Sequence, residues 1–243
     1  MLSRLALLGP VCLTGPHISF MRRVSQRRRT ALLALLASSR GAPVSRDWLL
    51  GILWPDRDER SARHLLADSV YVLRQTLGDE AIVASGESLH LSPDLVWADV
   101  VEFRAALADE RWSDALELYR GDFLDGFFVR NAADFDQWAM AERSRLQGLA
   151  TRAASALADS LQRAGRLPEA VNAAERALEL SPFDETLFRY LVRALMAAEN
   201  SARAMAISFR FIERLALDLG VGPSAETMRL VREVRGQGVS TRM

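Results

Sequence analysis

The segment Ser61–Leu77 constrains the fold more than any other part of the chain. Placed at about 100° per residue, it separates into two faces. One face carries Ala62, Leu65, Leu66, Ser69, Val70, Leu73 and Leu77; the other carries Arg63, His64, Ala67, Asp68, Tyr71, Arg74 and Gln75. A helix with so continuous an apolar stripe must bury it, and Gly78 supplies its end. Directly afterwards, Ala81–Ala84 and Ser88–Leu91 flank Ser85-Gly86-Glu87, which predicts a β-hairpin.

Upstream, Leu5–Leu8, Val11–Leu13 and Ile18–Met21 are short apolar runs separated by Gly9-Pro10 and Gly15-Pro16. Those breakers predict turns, and the runs a small antiparallel sheet. Gln26–Ser38 changes to helix chemistry, arginine-rich at its start and apolar at Leu32, Leu33, Leu35 and Leu36, with Gly41 and Pro43 ending it. Ser45 is placed to N-cap a second helix, Arg46–Leu53, with Asp47 in its first turn and Trp54-Pro55-Asp56 closing it. A small sheet, three helices and a hairpin predict a winged helix-turn-helix over residues 1–97.

From Trp97 onward the pattern is helical and rich in alanine. Helices are expected at Val100–Ala108, Ser113–Tyr119, Phe135–Ala164, Pro168–Leu180, Glu185–Ala198, Ala202–Leu219 and Ala225–Val234. Gly121–Asn131, with its glycines and phenylalanines, reads as a packed loop. Leu157, Ala158, Leu161, Gly165, Ala170, Ala177 and Pro182 follow the small-and-apolar pattern of a tetratricopeptide repeat of about 34 residues. Leu191, Val192, Leu195 and Ala204 keep the phase in a second, degenerate copy, in which Glu199 replaces the glycine and Ser208 and Phe211 stand at later positions. The chain is therefore expected to be mainly α, with an all-helical, tetratricopeptide-like domain over residues 98–236 and a tail at 237–243.

Charge sharpens this division. All 31 basic residues are arginine, matched by 31 acidic ones. Residues 1–97 hold 12 arginines against 9 acids, and the remainder 19 against 22. A basic head on an acidic body points to a polyanion as partner of the head. The lone Cys12 forms no internal disulfide and fits a reducing, cytoplasmic setting. His17, His64 and His90 lie too far apart for metal-ligand spacing, and no apolar run approaches the roughly 18 residues of a membrane span. Gly9-Pro10 breaks the apolar start early and no small-residue cleavage site follows, so that start reads as strands rather than an export signal. Phosphate-binding glycine loops, zinc-protease helices and nucleophile elbows are missing from the sequence, so neither an enzyme nor a cofactor is expected.

In a winged helix the helix with the spare polar face enters the major groove, and side chains near its N-terminal half reach base edges. Arg63, His64, Ala67 and Tyr71 are the candidate readers. Arg60, Arg74, Arg27, Arg28 and Arg29 are candidate phosphate contacts. Asp68 would repel phosphates or accept from a cytosine amine, and the hairpin tip Ser85-Gly86-Glu87-Ser88 offers no arginine to the minor groove. Periodicity alone accommodates a blander reading equally well: a solvated helix face, with His64 a surface histidine, Arg27–Arg29 a solvated helix start and Tyr71 a cap on the core.

Several motifs, in order, carry a resemblance. Ala31-Leu32-Leu33-Ala34-Leu35-Leu36, Pro43-Val44-Ser45-Arg46-Asp47-Trp48-Leu49, Leu53-Trp54-Pro55-Asp56, Ser61-Ala62-Arg63 and Leu73-Arg74 resemble the winged-helix half of the Streptomyces antibiotic regulatory protein family. Tyr119-Arg120-Gly121-Asp122-Phe123-Leu124-Asp125-Gly126-Phe127, with Phe135, Trp138, Glu142 and Arg143, is similar to that family's bacterial transcriptional activation domain. Leu219-Gly220-Val221-Gly222-Pro223-Ser224 with Glu226-Thr227 resembles its closing helix. The resemblance implies sequence-specific binding to promoter DNA, double-stranded and often by paired protomers on direct repeats. It also implies recruitment of RNA polymerase through the helical half, and no enzyme chemistry. Two alternatives remain from other classes. One is a protein-interaction module whose winged helix has lost DNA binding; the other is the front end of a signalling protein controlled by a partner or ligand in the helical groove.

Overall fold

The first strand, β1 (Ser3–Ala6), is the middle of a three-stranded sheet. It pairs antiparallel with β2 (Cys12–Thr14), Leu5 facing Leu13, and parallel with a strand from far along the chain, Leu5 facing Ala98. The structure is a computed structural model that describes residues 2–15 and 27–240, the side chains of 237–240 excepted. The expected strand Ile18–Met21 lies outside the described residues, as do Pro16, His17, Arg22 and Arg23.

Three helices follow: α1 (Arg27–Ser38), α2 (Arg46–Leu53) and α3 (Glu59–Leu77). Helix α1 is buried at every position from Ala31 to Ala37, because α2, α3 and segments at Ser88–Leu91 and Asp99–Ala108 all pack on it. A second sheet joins β3 (Val44–Ser45) to the hairpin β4 (Ile82–Ser85) and β5 (Ser88–Leu91), in the order β3-β5-β4. Gly86, with φ of 55°, opens the two-residue hairpin loop, where a positive φ suits the strand twist. Ser45 does not cap α2 with its side chain as expected; it is held in β3, and the first amide of the helix, Arg46 N, donates to the Glu87 carbonyl at 2.9 Å.

The expectation of helix from Trp97 onward is corrected at its start. Val96–Ala98 forms β6, the parallel partner of β1, and helix α4 (Asp99–Ala108) begins immediately after it. The Asp99 carboxylate accepts from the Leu7 amide at 2.8 Å and the Leu8 amide at 3.0 Å, satisfying donors the strand leaves behind. Burial raises its pKa above the ordinary aspartate value, against the pull of those amides. Alternation over three residues is too short a signal to see in sequence, and the partner strand lies more than 80 residues away.

After α4 come α5 (Trp112–Leu118) and α6 (Ala133–Arg163). The segment between them is a packed loop, as expected, with Phe123 and Leu124 fully buried. It docks on the first sheet: Gly9 N donates to Asp122 O at 3.0 Å and Leu124 N to Leu7 O at 2.8 Å. A Cβ on Gly121 would stand 3.2 Å from the Gly9 Cα, so any side chain there would press the two backbones a few tenths of an ångström apart. Arg104 on α4 pairs with Glu142 on α6 and donates to the Ser38 carbonyl at 3.0 Å; burial lowers its guanidinium pKa to about 10.

The chain forms two compact units, residues 1–146 and 147–243. The second is built from the end of α6 with α7 (Leu167–Leu180), α8 (Glu185–Ala197), α9 (Ser201–Leu219) and α10 (Ala225–Ser240). Ala158, Ala170, Ala177 and Ala204 are fully buried, which is the close helix approach the repeat pattern asks for. Ser208, in the degenerate copy, is buried and donates to the Ala204 carbonyl at 2.7 Å, so its hydroxyl costs the core little. Helix α10 runs past the expected Val234 to Ser240, into the stretch read as a tail.

Candidate nucleic-acid interface

Helix α3 starts two residues earlier than its apolar pattern, because Asp58 caps it, accepting from Ser61 N at 3.0 Å. Hydrogen bonding by Ser61 lowers the Asp58 pKa. The buried face is Ala62, Leu66, Ser69, Val70, Leu73 and Leu77, as periodicity indicates, with Leu65 half-buried at its margin. Thr76 is buried as well; Thr76 and Ser69 donate to the Val72 and Leu65 carbonyls within the helix, which lets both hydroxyls sit in the core.

The opposite face is open. Arg60, Arg63, His64, Ala67 and Tyr71 are exposed, Tyr71 to 63%. Arg63 lies 2.7 Å from Glu59 and 3.7 Å from Asp47. Such exposed ion pairs are worth at most about 1 kcal/mol, so they leave the guanidinium free to swing to a stronger acceptor. Arg60, His64 and Tyr71 have no side-chain hydrogen bond or ion pair among the described residues.

The structure treats the other candidates differently. Arg74 donates from Nε and Nη2 to the Ile82 carbonyl, at 2.9 and 2.7 Å, and so braces the hairpin against α3. Arg29 is buried and forms a 2.8 Å ion pair with Asp68. Arg28 donates to the carbonyls of Leu53 and Arg130, at 2.9 and 3.1 Å. Arg27 donates to the Phe128 carbonyl at 2.9 Å and lies 4.2 Å over the Phe128 ring. These four guanidiniums hold the unit together. Asp68, which looked repulsive in sequence, is answered by Arg29. Arg46, at the start of α2, and Arg57, in the turn before α3, were not singled out in sequence; Arg46 is half-buried and Arg57 exposed, and neither makes a side-chain hydrogen bond or ion pair among the described residues. No periodic signal marks them, since they lie outside the α3 stripe. No cluster of potential metal ligands occurs among the described residues, and no helix there is long and apolar enough to cross a membrane.

Residues 99–235 match the family described as bacterial transcriptional activator domain. No curated protein sequence matches the chain. Among solved structures it is similar to Mycobacterium tuberculosis EmbR, solved in complex with a low affinity phosphopeptide, with a TM-score of 0.65 and 24% identity over 97% of this chain and 65% of EmbR. It thus spans slightly less than two thirds of that protein. The likeness extends across both the winged helix and the helical half and concerns the fold. A second similar structure, the TPR2B domain of yeast Sti1 in its pHsp70 complex, aligns with 57% of this chain and 94% of that one at 16% identity, with a TM-score of 0.31.

Proposed function

The chain belongs to the bacterial transcriptional activator domain family, and from that premise we propose that it binds promoter DNA through its winged helix and contacts a partner through its helical half. In this reading it is a transcription regulator of the Streptomyces antibiotic regulatory protein type, with DNA as ligand, activation as outcome and RNA polymerase as partner. The observation that carries it is the open face of α3, where Arg60, Arg63, His64 and Tyr71 stand exposed opposite a buried Leu66 and Leu73. Arg63 is placed to read a guanine edge, with His64, Ala67 and Tyr71 along the same stripe.

Phosphate contacts fall in this reading to Arg60, joined by Arg46 and Arg57, because Arg27, Arg28, Arg29 and Arg74 already serve internal acceptors. So few free cations give a single protomer weak affinity, which favours two protomers on a repeated site. The division into a winged helix at 1–97 and a helical domain at 98–236 belongs to this proposal, as do a cytoplasmic setting and the lack of enzyme chemistry. The test is titration of a two-site fragment, selected from random DNA, at several salt concentrations. Salt-sensitive, sequence-selective binding is expected. Absence of salt-sensitive binding to every selected fragment would overturn it in favour of a docking module, a reading supported by the acidic hairpin tip at Glu87.

A further inference from the structure

Helices α7 and α9 both pack on α8 and leave between them a cleft of about 470 Å³. Its floor is apolar: Leu191, Ile207 and Phe211 are buried beneath it and Leu178 is half-buried at its side. The floor is also firm, because Phe211 stacks flat on Phe188 with ring centroids 4.1 Å apart.

The two walls differ in charge. Arg203, Arg210 and Arg214 project from α9, at spacings of seven and four that place them on one helix face. Glu175 and Glu179 line the α7 side. The acids are already matched: Glu175 lies 2.7 Å from Arg203, and Glu179 lies 3.2 Å from Arg176. Of the cations, Arg210 is unmatched and Arg214 is held only by a long ion pair. Arg210 has no hydrogen bond, ion pair or ring contact among the described residues, and the nearest carboxylate to Arg214 is Asp218 at 3.8 Å. Arg214 rests instead over Phe183, 5.4 Å from the ring centroid.

We propose that this cleft docks a short acidic peptide segment of a partner protein, carrying one bulky apolar side chain. The apolar side chain covers the floor, and carboxylates on either side of it meet Arg210 and Arg214 in charge-assisted hydrogen bonds. The volume falls within the range of small-ligand pockets of roughly 300–1,000 Å³, room for a few side chains. A nucleic acid duplex suits the cleft less well. Its sugar-phosphate backbone brings nothing apolar for the floor. The inference rests on the reading of the helical half as the partner-contacting half and is independent of how α3 meets DNA.

The experiment uses the full chain and three fluorescein-labelled peptides: Asp-Asp-Phe-Asp-Asp, its counterpart Asn-Asn-Phe-Asn-Asn, and Arg-Arg-Phe-Arg-Arg. Fluorescence anisotropy is read at several salt concentrations. The aspartate peptide is expected to bind with salt sensitivity and the asparagine peptide about tenfold more weakly or less. Arg210→Glu, at an exposed position that should not disturb folding, weakens the aspartate peptide by about tenfold. The double variant Arg210→Glu with Arg214→Glu reverses the preference toward the arginine peptide, and its circular dichroism melt shows that it is folded. Equal binding of the aspartate and asparagine peptides, or binding of neither, overturns the proposal. So does an Arg210→Glu variant that loses duplex DNA as steeply as peptide, which would make the cleft a nucleic acid surface. Loss of all DNA binding with Arg210-dependent peptide binding intact would strike the promoter-binding reading and support this one.

Discussion

Helices α3 and α9 are both nineteen residues long, and each carries three arginines. They use them in different ways. On α3, Arg60 and Arg63 stand exposed, Arg63 held only by exposed ion pairs, and the third, Arg74, is spent on the Ile82 carbonyl. On α9, the three line one wall of a cleft whose floor is buried leucine, isoleucine and phenylalanine. A projecting face with free cations can enter a groove of regular phosphates. A recess with an apolar floor needs an occupant with an apolar part. Counting charges along the chain cannot distinguish the two helices; what lies beside each arginine does.

The largest effects should come from the faces that support each helix. Phe211→Ala removes the ring stacked on Phe188 beneath the α9 cleft and should cost about 3–5 kcal/mol. Leu73→Ala, fully buried under α3, should cost about 2–5 kcal/mol. Urea melts of the full chain measure both. A melt unchanged by Leu73→Ala would mean that the buried and exposed faces of α3 are misassigned, and the comparison of the two helices would lose its basis.

Within α3 the comparison sharpens to single arginines. Arg63→Ala should cost about 1–3 kcal/mol of binding and relax preference at one base pair if Arg63 reads guanine. Arg60→Ala should weaken all sequences alike and lower the salt slope by about 1, the signature of a lost phosphate contact. Arg74→Ala should do neither directly. It removes the bond to the Ile82 carbonyl and should cost about 1–3 kcal/mol of stability, leaving the salt slope unchanged. A melt unaffected by Arg74→Ala, together with a slope reduced by about 1, would return Arg74 to the phosphate contacts.

This distinction marks how far the sequence could be read. The apolar stripe of α3, the hairpin, the alanine pattern of the repeats and the packed Gly121–Asn131 loop are local and periodic, and each is visible in spacing alone. The strand Val96–Ala98 is not, because its reason for being extended is a pairing with Ser3–Leu5. Ser45 is a good cap by type, yet a strand pairing with β5 holds it elsewhere. Arg29 and Arg74 look like surface cations until their acceptors, Asp68 and the Ile82 carbonyl, arrive from other elements. Residue type assigns charge, and tertiary structure decides whether the charge is spent. Arg46 and Arg57 show the converse: unremarkable in sequence, they are left unspent by the fold.

The smallest expected effect concerns acid, and it separates the ends of the two units. Asp58 caps α3 and its pKa is lowered from 3.8, chiefly by the Ser61 hydrogen bonds. Glu185, at the start of α8, accepts from Ser224 N at 2.9 Å and from the Ser224 hydroxyl, and so anchors the beginning of α10. Burial pushes its pKa up, but the hydrogen bonds from Ser224 and Thr227 and the charge of Arg189 outweigh burial and bring it below 4.5. A carboxylate with a lowered folded-state pKa contributes stability above its unfolded pKa and loses it as the pH falls through the folded value. Both anchors should therefore weaken as the pH drops below 4.5 for Glu185 and below 3.8 for Asp58. Asp99 has the opposite sign: its raised pKa means that folding favours the protonated form, so its contribution is present at low pH and lost as the pH rises through the folded value. The unit holding Asp58 also holds Asp99, so its acid limb is partly offset, whereas Glu185 has no such counterweight among the groups with a resolved shift in its own unit. Amide hydrogen exchange along an acid titration should show α10 loosening before α3, and Glu185→Gln should remove the pH dependence at α10 alone. If α10 in Glu185→Gln loosened over the same interval as in the unaltered chain, the anchor would lie elsewhere.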